Sequence, residues 1–392
     1  MSIVIIGCGF AGASFAWWLA RYGVRDITIL EREEMPGTHS SGLNAGMTRG
    51  FDENEKIAHF AWEGAEFIRN PPEGFSETKL IDVNGSLLLG RKNRFEDGFR
   101  PEGSKIISKE EAAKIVPYLK DAKFEAALWS PNDGVVDIHS YLWAYINGAK
   151  AKGVKLITNC EVKSIKVIAL ARRQFGGREH PRPKQSPESN CIREIASLTL
   201  AMTDSGKIVN MEADIVVNAA GGWAQPVANM AGAEDLGLKP MRRHLYCTPP
   251  IPSVNPKWPF VWAMEDTYYF RPESGGLLLG PADEEIVEPK PPIVNPKIKE
   301  VLAEKLARFC PSLADVSIAR EWCGLRTFAP DRNFVIRWDK KVKNFFWLAG
   351  LGGSGVNCAA SAGKMAAEEI SLSLRGALAT KQSSEPKWIN NT

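Results

Sequence analysis

Ser2-Ile-Val-Ile-Ile-Gly-Cys-Gly-Phe-Ala-Gly12 is the stretch whose reading decides the fold. The β-branched run from Ser2 to Ile6 reads as a short buried parallel strand, and Ala13 to Tyr22 is compatible with a helix, so a G-x-G-x-x-G turn lies between strand and helix. Gly7 permits the tight turn, Gly9 lets a pyrophosphate approach the backbone, and Gly12 lets the helix pack close to the strand. Phe10 and Ala11 then lie at the positive helix N-terminus, where an anion is favoured. A second strand, Asp26 to Leu30, ends in Glu31, nineteen residues beyond Gly12. An acid at that spacing accepts hydrogen bonds from an adenosine ribose and repels a 2′-phosphate, which disfavours NADP. The alternative to a dinucleotide site is a purely structural turn.

Two more strand-to-glycine junctions occur far away in sequence. Asp214 to Gly222 reads as a buried strand running into small residues, and Phe345 to Gly355 reads as another before a helical stretch from Cys358 to Leu374. Ligands in dinucleotide folds bind at the carboxyl ends of parallel strands, so three such junctions can converge on one long cofactor. Composition narrows the rest. The 392 residues suggest two or three domains, with 44% apolar and 24% charged residues. A net charge of +3 gives no bulk attraction for nucleic acid or an anionic membrane. Seven cysteines, none in C-x-x-C spacing, and five unpaired histidines (His39, His59, His139, His180, His244) point to neither a disulfide framework nor a metal site. The uncharged stretch Ser2 to Ala20 has no basic region before it and is broken by three glycines, so the expectation is a cytoplasmic protein without a transmembrane segment.

These residues resemble the FAD-dependent D-amino acid oxidase superfamily, in the branch of glycine and sarcosine oxidases and D-amino acid dehydrogenases. The resemblance rests on Gly7 to Gly12 with Glu31, His39-Ser-Ser-Gly-Leu-Asn-Ala-Gly46, Gly221-Gly-Trp223, and Gly324-Leu-Arg-Thr-Phe-Ala-Pro-Asp331 followed by Gly350 to Gly355. The C-terminal half is similar to D-arginine dehydrogenases through Tyr268-Tyr-Phe-Arg-Pro272, Gly324-Leu-Arg326 and Phe346-Trp-Leu-Ala-Gly350. It implies an α/β fold: an FAD-binding, Rossmann-like domain of the glutathione-reductase type, with a second, mostly antiparallel α+β substrate domain. The implied division is 1–80, 135–234 and 323–380 for the flavin and 81–134 with 235–322 for the substrate. Residues 171–192 are expected to form an exposed loop insertion, and 381–392 a tail.

The resemblance also implies roles. Arg326 and Arg243, helped by Tyr269, would clamp a substrate carboxylate. Non-covalent FAD would be held by Gly7, Gly9, Phe10, Ala11, Gly12, Glu31 and Arg32, by Ser40, Ser41, Asn44, Ala45, Gly46 and Met47, and by Val162 at the adenine. Ala220, Gly221, Trp223, Gly324 and the turn Gly352, Gly353, Ser354, Gly355, Val356 complete the set. Met47 stands where the family places a histidine, and Cys323 is displaced by one residue from a covalent-flavin position. No acid that could grip a guanidinium side chain is identifiable. The residues leave choices open: Arg242 or Arg243 faces the flavin, with Arg243 favoured, one of Tyr268 and Tyr269 is packing, and Arg326 could instead form a structural ion pair. The implied activity is oxidation of the amine of a D-amino acid to its imine, with a sarcosine-, glycine- or proline-type secondary-amine oxidase, or a non-catalytic flavin protein, as alternatives. Oxygen, a quinone or a dye-type carrier could accept the electrons, and the oligomeric state is open.

Two local patterns complete the expectations. Ile81-Asp-Val-Asn-Gly-Ser-Leu-Leu-Leu89 suggests a strand pair turning at Asn84-Gly85. Asn54 to Arg69 and the stretch after Asp137 suggest helices, with Asp137 as a cap.

Overall fold

The computed structural model describes residues 1–96, 100–169, 196–204 and 207–383. Its central sheet has six strands in the order Val335–Trp338, Phe345–Ala349, Ile215–Asn218, Ile3–Ile6, Ile27–Leu30, Lys155–Ile157. All neighbours are parallel except the first pair. Every residue of Ile3–Ile6, Ile27–Leu30 and Ile215–Asn218 is buried, because both faces of the sheet are covered. Alternation along the first strand sorts the two faces. Ile3 and Ile5 meet the helices Phe10–Arg21, Ile138–Ala151 and Gly355–Ser383, whereas Val4 and Ile6 meet the antiparallel sheet of Val162–Ala169, Ala196–Asp204 and Lys207–Ala213. Trp17 belongs to the helical layer, edge-on to Phe75 and Tyr145.

The larger sheet runs Glu285–Ile286, Lys239–Cys247, Gly276–Gly280, Tyr268–Glu273, Phe260–Ala263, Ser86–Gly90, Ala126–Ser130, Lys105–Ser108, with Arg320–Phe328 also paired to Lys239–Cys247. Only the Phe260–Ala263 and Ser86–Gly90 pair is parallel. Leu302 and Leu306 of the helix Lys297–Phe309 cover one face together with Tyr268, and Tyr269 turns to the other. Period-two alternation thus assigns Tyr268 to packing.

Several expectations are corrected. Ile81–Asp82 and Ser86–Gly90 are not a hairpin. Ile81–Asp82 pairs with Val135 and Val136 in a small three-stranded sheet, Ser86–Gly90 joins the larger one, and Gly85, at φ +84°, is the crossing between them. The division at 323 cuts a strand: Arg320–Phe328 pairs with Lys239–Cys247 along its whole length, so the chain returns to the six-stranded sheet only after Phe328. The last helix continues to Ser383, past the expected start of the tail. The whole of the expected insertion lies outside the described residues, as does the tail beyond Ser383. Asn54 and Asp137 do cap their helices, accepting from the Lys56 and Ser140 amides. No helix among the described residues is long and apolar enough to cross a membrane.

Candidate active site

Strands Phe345–Ala349, Ile215–Asn218 and Ile3–Ile6 are neighbours in the sheet, so all three glycine junctions emerge at one edge. Close approach fixes the first turn. Gly7 sits at φ +101°, and a Cβ on Gly12 would lie 2.0 Å from the Gly7 carbonyl oxygen, which no side chain tolerates. The Phe10 amide at the helix start donates to Ser41 Oγ at 3.0 Å, which joins the first turn to the segment after His39. The Glu31 carboxylate is buried and accepts from the Cys8 amide at 2.7 Å and the Glu33 amide at 3.0 Å.

A groove of about 150 Å³ begins here, walled by Gly7, Gly9, Glu31 and Arg32 on one side and Val162, Ala220, Gly221 and Trp223 on the other. Arg32 lies 4.1 Å over the Trp223 ring and bonds His39 at 2.8 Å, and His39 bonds Glu33 at 2.7 Å. Those two partners hold the Glu33 carboxyl below its ordinary range, His39 contributing most. Ser40 and Ser41 carry the wall into a second groove of about 100 Å³, lined by Phe10, Ala11, Asn44, Gly352, Gly353, Gly355 and Val356. Thr327 lines it too, and its buried hydroxyl has no hydrogen-bond partner among the described residues.

Arg326, Asn44, Gly353 and Val356 are shared with a third cavity of about 330 Å³. Ala45, Gly46, Met47, Ser354, Tyr269 and Arg243 line it as well. Its cations differ in their partners. The Arg326 guanidinium donates to the carbonyls of Leu325 at 2.9 Å and Leu43 at 2.8 Å, and it has no carboxylate partner among the described residues. Burial, with Arg243 nearby, pushes it down to about 10. Arg243 is engaged: its Nη2 donates to Glu284 at 2.6 Å and its Nε to the Asp283 carbonyl at 3.3 Å. Arg242 points the other way, to Glu285 and the Ile293 carbonyl. Burial raises the Tyr269 phenol against the pull of the two arginines, which keeps it protonated and able to donate.

A family model described as FAD dependent oxidoreductase (DAO) matches residues 2–369. The chain belongs to the DAO family of FAD-dependent oxidoreductases. It is 26% identical over 94% of its length to the mitochondrial dimethylglycine dehydrogenase of Rattus norvegicus and 24% identical over 94% to the mitochondrial sarcosine dehydrogenase of Mus musculus. It spans only 42% and 39% of those proteins. Among solved structures, L-proline dehydrogenase from P. horikoshii superposes with a TM-score of 0.73 at 23% identity, covering 94% of this chain and 92% of that one. Glycine oxidase from Geobacillus kaustophilus superposes at 0.69 with 20% identity, covering 92% of each.

FAD, the cofactor of the DAO family, fits the residues present. The glycine turn has no room for a Cβ, the ribose-side carboxylate is buried, and the Thr327 hydroxyl waits unpartnered beside Gly352 and Gly353. Gly324 does not line the grooves: a Cβ there would meet the Leu43 carbonyl at 2.5 Å and Arg326 Nη1 at 2.9 Å, so it serves the approach of Arg326 to the segment from His39 to Gly46. Cys323 is buried on the strand opposite His244, away from all three cavities, and burial pushes its thiol up to about 11. Sequence reasoning missed Arg49, Asp52, Trp262, Glu284, Arg332 and Asn357 of the third cavity. Arg49 pairs with Asp52 at 3.1 Å and lies 4.5 Å over Trp262, and Asn357 accepts from Thr48 and donates to the Arg49 carbonyl at 2.8 Å. The short spacing of Met47, Arg49 and Asp52 after the segment from His39 to Gly46 was a usable signal. Glu284, in a surface-like Pro-Ala-Asp-Glu-Glu run, offered none.

Proposed function

We propose that the protein oxidises the α-amine of an amino acid to the corresponding imine, which water converts to a 2-oxo acid and ammonia or a smaller amine. Bound FAD supplies the acceptor for the hydride that leaves Cα. Arg326 carries the reading. A buried guanidinium resting on two carbonyls and lacking an acid is a charge awaiting an anion, and a substrate carboxylate gives it short, charge-assisted, two-pronged bonds. Arg243 is the second arm and Tyr269 the neutral donor beside them. Together they orient the Cα–H bond toward the groove that ends at Gly353, holding a near-attack geometry. The helix that begins at Gly355 directs backbone N–H groups and a positive dipole end to the same place, where negative charge collects on reduction.

The carboxylates that line the cavity are each tied to an arginine, Asp52 to Arg49, Glu53 to Arg94 and Glu284 to Arg243 and Arg332, which fits an amine that binds neutral and needs no strong base. The motif resemblance supports a D-amino acid as substrate. The names of the curated relatives support an N-methylated glycine, for which the same carboxylate clamp serves. Retention of both arginines in one cavity argues against a non-catalytic flavin protein. Anaerobic bleaching of the purified holoenzyme with D- and L-amino acids, sarcosine, dimethylglycine and proline tests the reading. Bleaching by amino acids that is lost in Arg326→Leu supports it, and equal bleaching by amines without a carboxylate overturns it.

A further inference from the structure

We propose that Glu284 is a built-in competitor for the substrate carboxylate: it occupies Arg243 in the free site and withdraws onto Arg332 when substrate binds. This inference rests on the amine-oxidation reading above. Glu284 is held from both sides. One carboxylate oxygen accepts from Arg243 Nη2 at 2.6 Å and from Arg332 Nη1 at 3.2 Å, and the other accepts from Arg332 Nη2. The exposures are graded along this line. The Arg243 side chain is 9% exposed, that of Glu284 30%, and that of Arg332 48%. The inner partner is therefore the one a substrate carboxylate would use, and the outer one borders solvent. Because Arg332 already grips both oxygens, breaking the inner contact leaves no carboxylate stranded, which is the usual cost of separating such a pair.

The backbone around Glu284 is fixed, so the side chain alone has to move. Asp283 accepts from the His244 amide at 2.8 Å and from His244 Nδ1 at 2.7 Å. His244 Nε2 accepts from the Asn295 amide at 2.8 Å, so the imidazole is neutral and carries its proton on Nδ1. The Asp283 carbonyl in turn accepts from Arg243 Nε. His244 and Asp283 are thus positioning residues, pinning both Arg243 and the start of the Glu284 side chain to the larger sheet.

Charge balance explains why a competitor is present. Arg49, Arg243, Arg326 and Arg332 face the cavity; Asp52 answers Arg49, Glu284 is shared by Arg243 and Arg332, and Glu53 is taken up by Arg94. Two positive charges are left over, that of Arg326 and the one Glu284 leaves by serving two arginines. A single carboxylate spanning Arg326 and Arg243 removes one of them. When that carboxylate also takes Arg243, Glu284 keeps Arg332 neutralised. Glu284 therefore sets how much an anion must offer before the second arm closes, which favours a carboxylate placed to reach both arginines over a small anion on Arg326 alone.

The test uses the FAD-loaded protein titrated with 2-aminoisobutyrate, which has the carboxylate and amine but no Cα hydrogen to lose, with binding read from the flavin absorbance. Glu284→Gln is expected to bind about ten-fold tighter, since freeing Arg243 raises the competent fraction that scales the apparent affinity. Arg332→Gln is expected to bind several-fold more weakly, and its effect should vanish in the Glu284→Gln background, because Arg332 acts only through Glu284. A simple field effect predicts additive changes instead. Additivity, or a Glu284→Gln protein that binds no tighter than wild type, overturns the competitor while Arg326-dependent binding by wild type leaves the amine-oxidation reading intact. Wild type that binds no amino acid at all overturns both.

Discussion

Replacing Arg326 with leucine separates a functional charge from a structural one, because only the structural role predicts a large loss of stability. The fall of Arg326 from the ordinary arginine value to about 10 is worth about 3 kcal/mol of unfavourable burial in the charged form. That cost is present below pH 10 and lessens only as pH rises above it, where the folded state binds fewer protons than the unfolded one. Leucine removes it but leaves the Leu325 and Leu43 carbonyls without a donor, at about 1–2 kcal/mol each. The two terms nearly cancel, so Tm should move by less than about 4 °C. Catalysis should not be spared. Losing a desolvated partner for the substrate carboxylate costs on the order of 3–5 kcal/mol in kcat/KM, a drop of roughly two to four powers of ten. Arg326→Lys should recover little of it, since one ammonium cannot form two parallel bonds. Calorimetry and steady-state kinetics on the same FAD-saturated preparations check both halves. A Tm lowered by 10 °C or so with near-normal turnover would refute the clamp.

Glu31→Ala should lower FAD affinity by ten-fold or more while leaving KM of the reconstituted enzyme unchanged, because its bonds to the Cys8 and Glu33 amides lie at the far end of the groove from Arg326; equilibrium dialysis of FAD reads this. Gly12→Ala should yield protein without bound flavin, since its methyl would meet the Gly7 carbonyl at 2.0 Å; an absorbance ratio near wild type would contradict it. Acid precipitation should leave all flavin in the supernatant, because Cys323 lies outside the three cavities and its thiol is raised; yellow colour in the pellet would contradict that. Asp133 is pushed up to about 6 by burial, although Ser86 and the Gly50 amide donate to it. A group raised in the folded state stabilises fully below its unfolded value near 4, and the contribution is lost as pH rises through 6. Stability should therefore fall by about 3 kcal/mol between pH 4 and pH 7.5 from this group alone, and Asp133→Asn should abolish that part of the Tm profile.

Local signals carried the nucleotide half of the molecule. Gly12 packs on the Gly7 carbonyl and Glu31 accepts from the Cys8 amide within one β-α-β unit, so that spacing alone locates the turn, while Gly7 and Gly9 make room for Ala219 and Ser41 from distant segments; the other glycine junctions follow because parallel strands must end at the same edge. The substrate half was legible only where strand alternation applied. Arg243 faces the cavity and Arg242 faces Glu285 because successive residues of Lys239–Cys247 alternate, and Tyr268 and Tyr269 part for the same reason. The hairpin read into Asn84-Gly85 failed because a turn signal states that the chain reverses, not which sheet receives the second strand; Ser86–Gly90 finds a longer apolar ladder beside Ala126–Ser130 and Phe260–Ala263. Glu284 is the instructive case. It reaches Arg243 from forty-one residues away and Arg332 from forty-eight, and nothing in the Pro281–Glu285 run distinguishes a cavity carboxylate from a solvated one. What distinguishes it is charge balance, which exists only once the larger sheet has brought four guanidiniums to one cavity. Three of them have acids, and the fourth, Arg326, is held by two carbonyls and lacks its anion. The missing charge, more than any motif, is what assigns a carboxylate to this site.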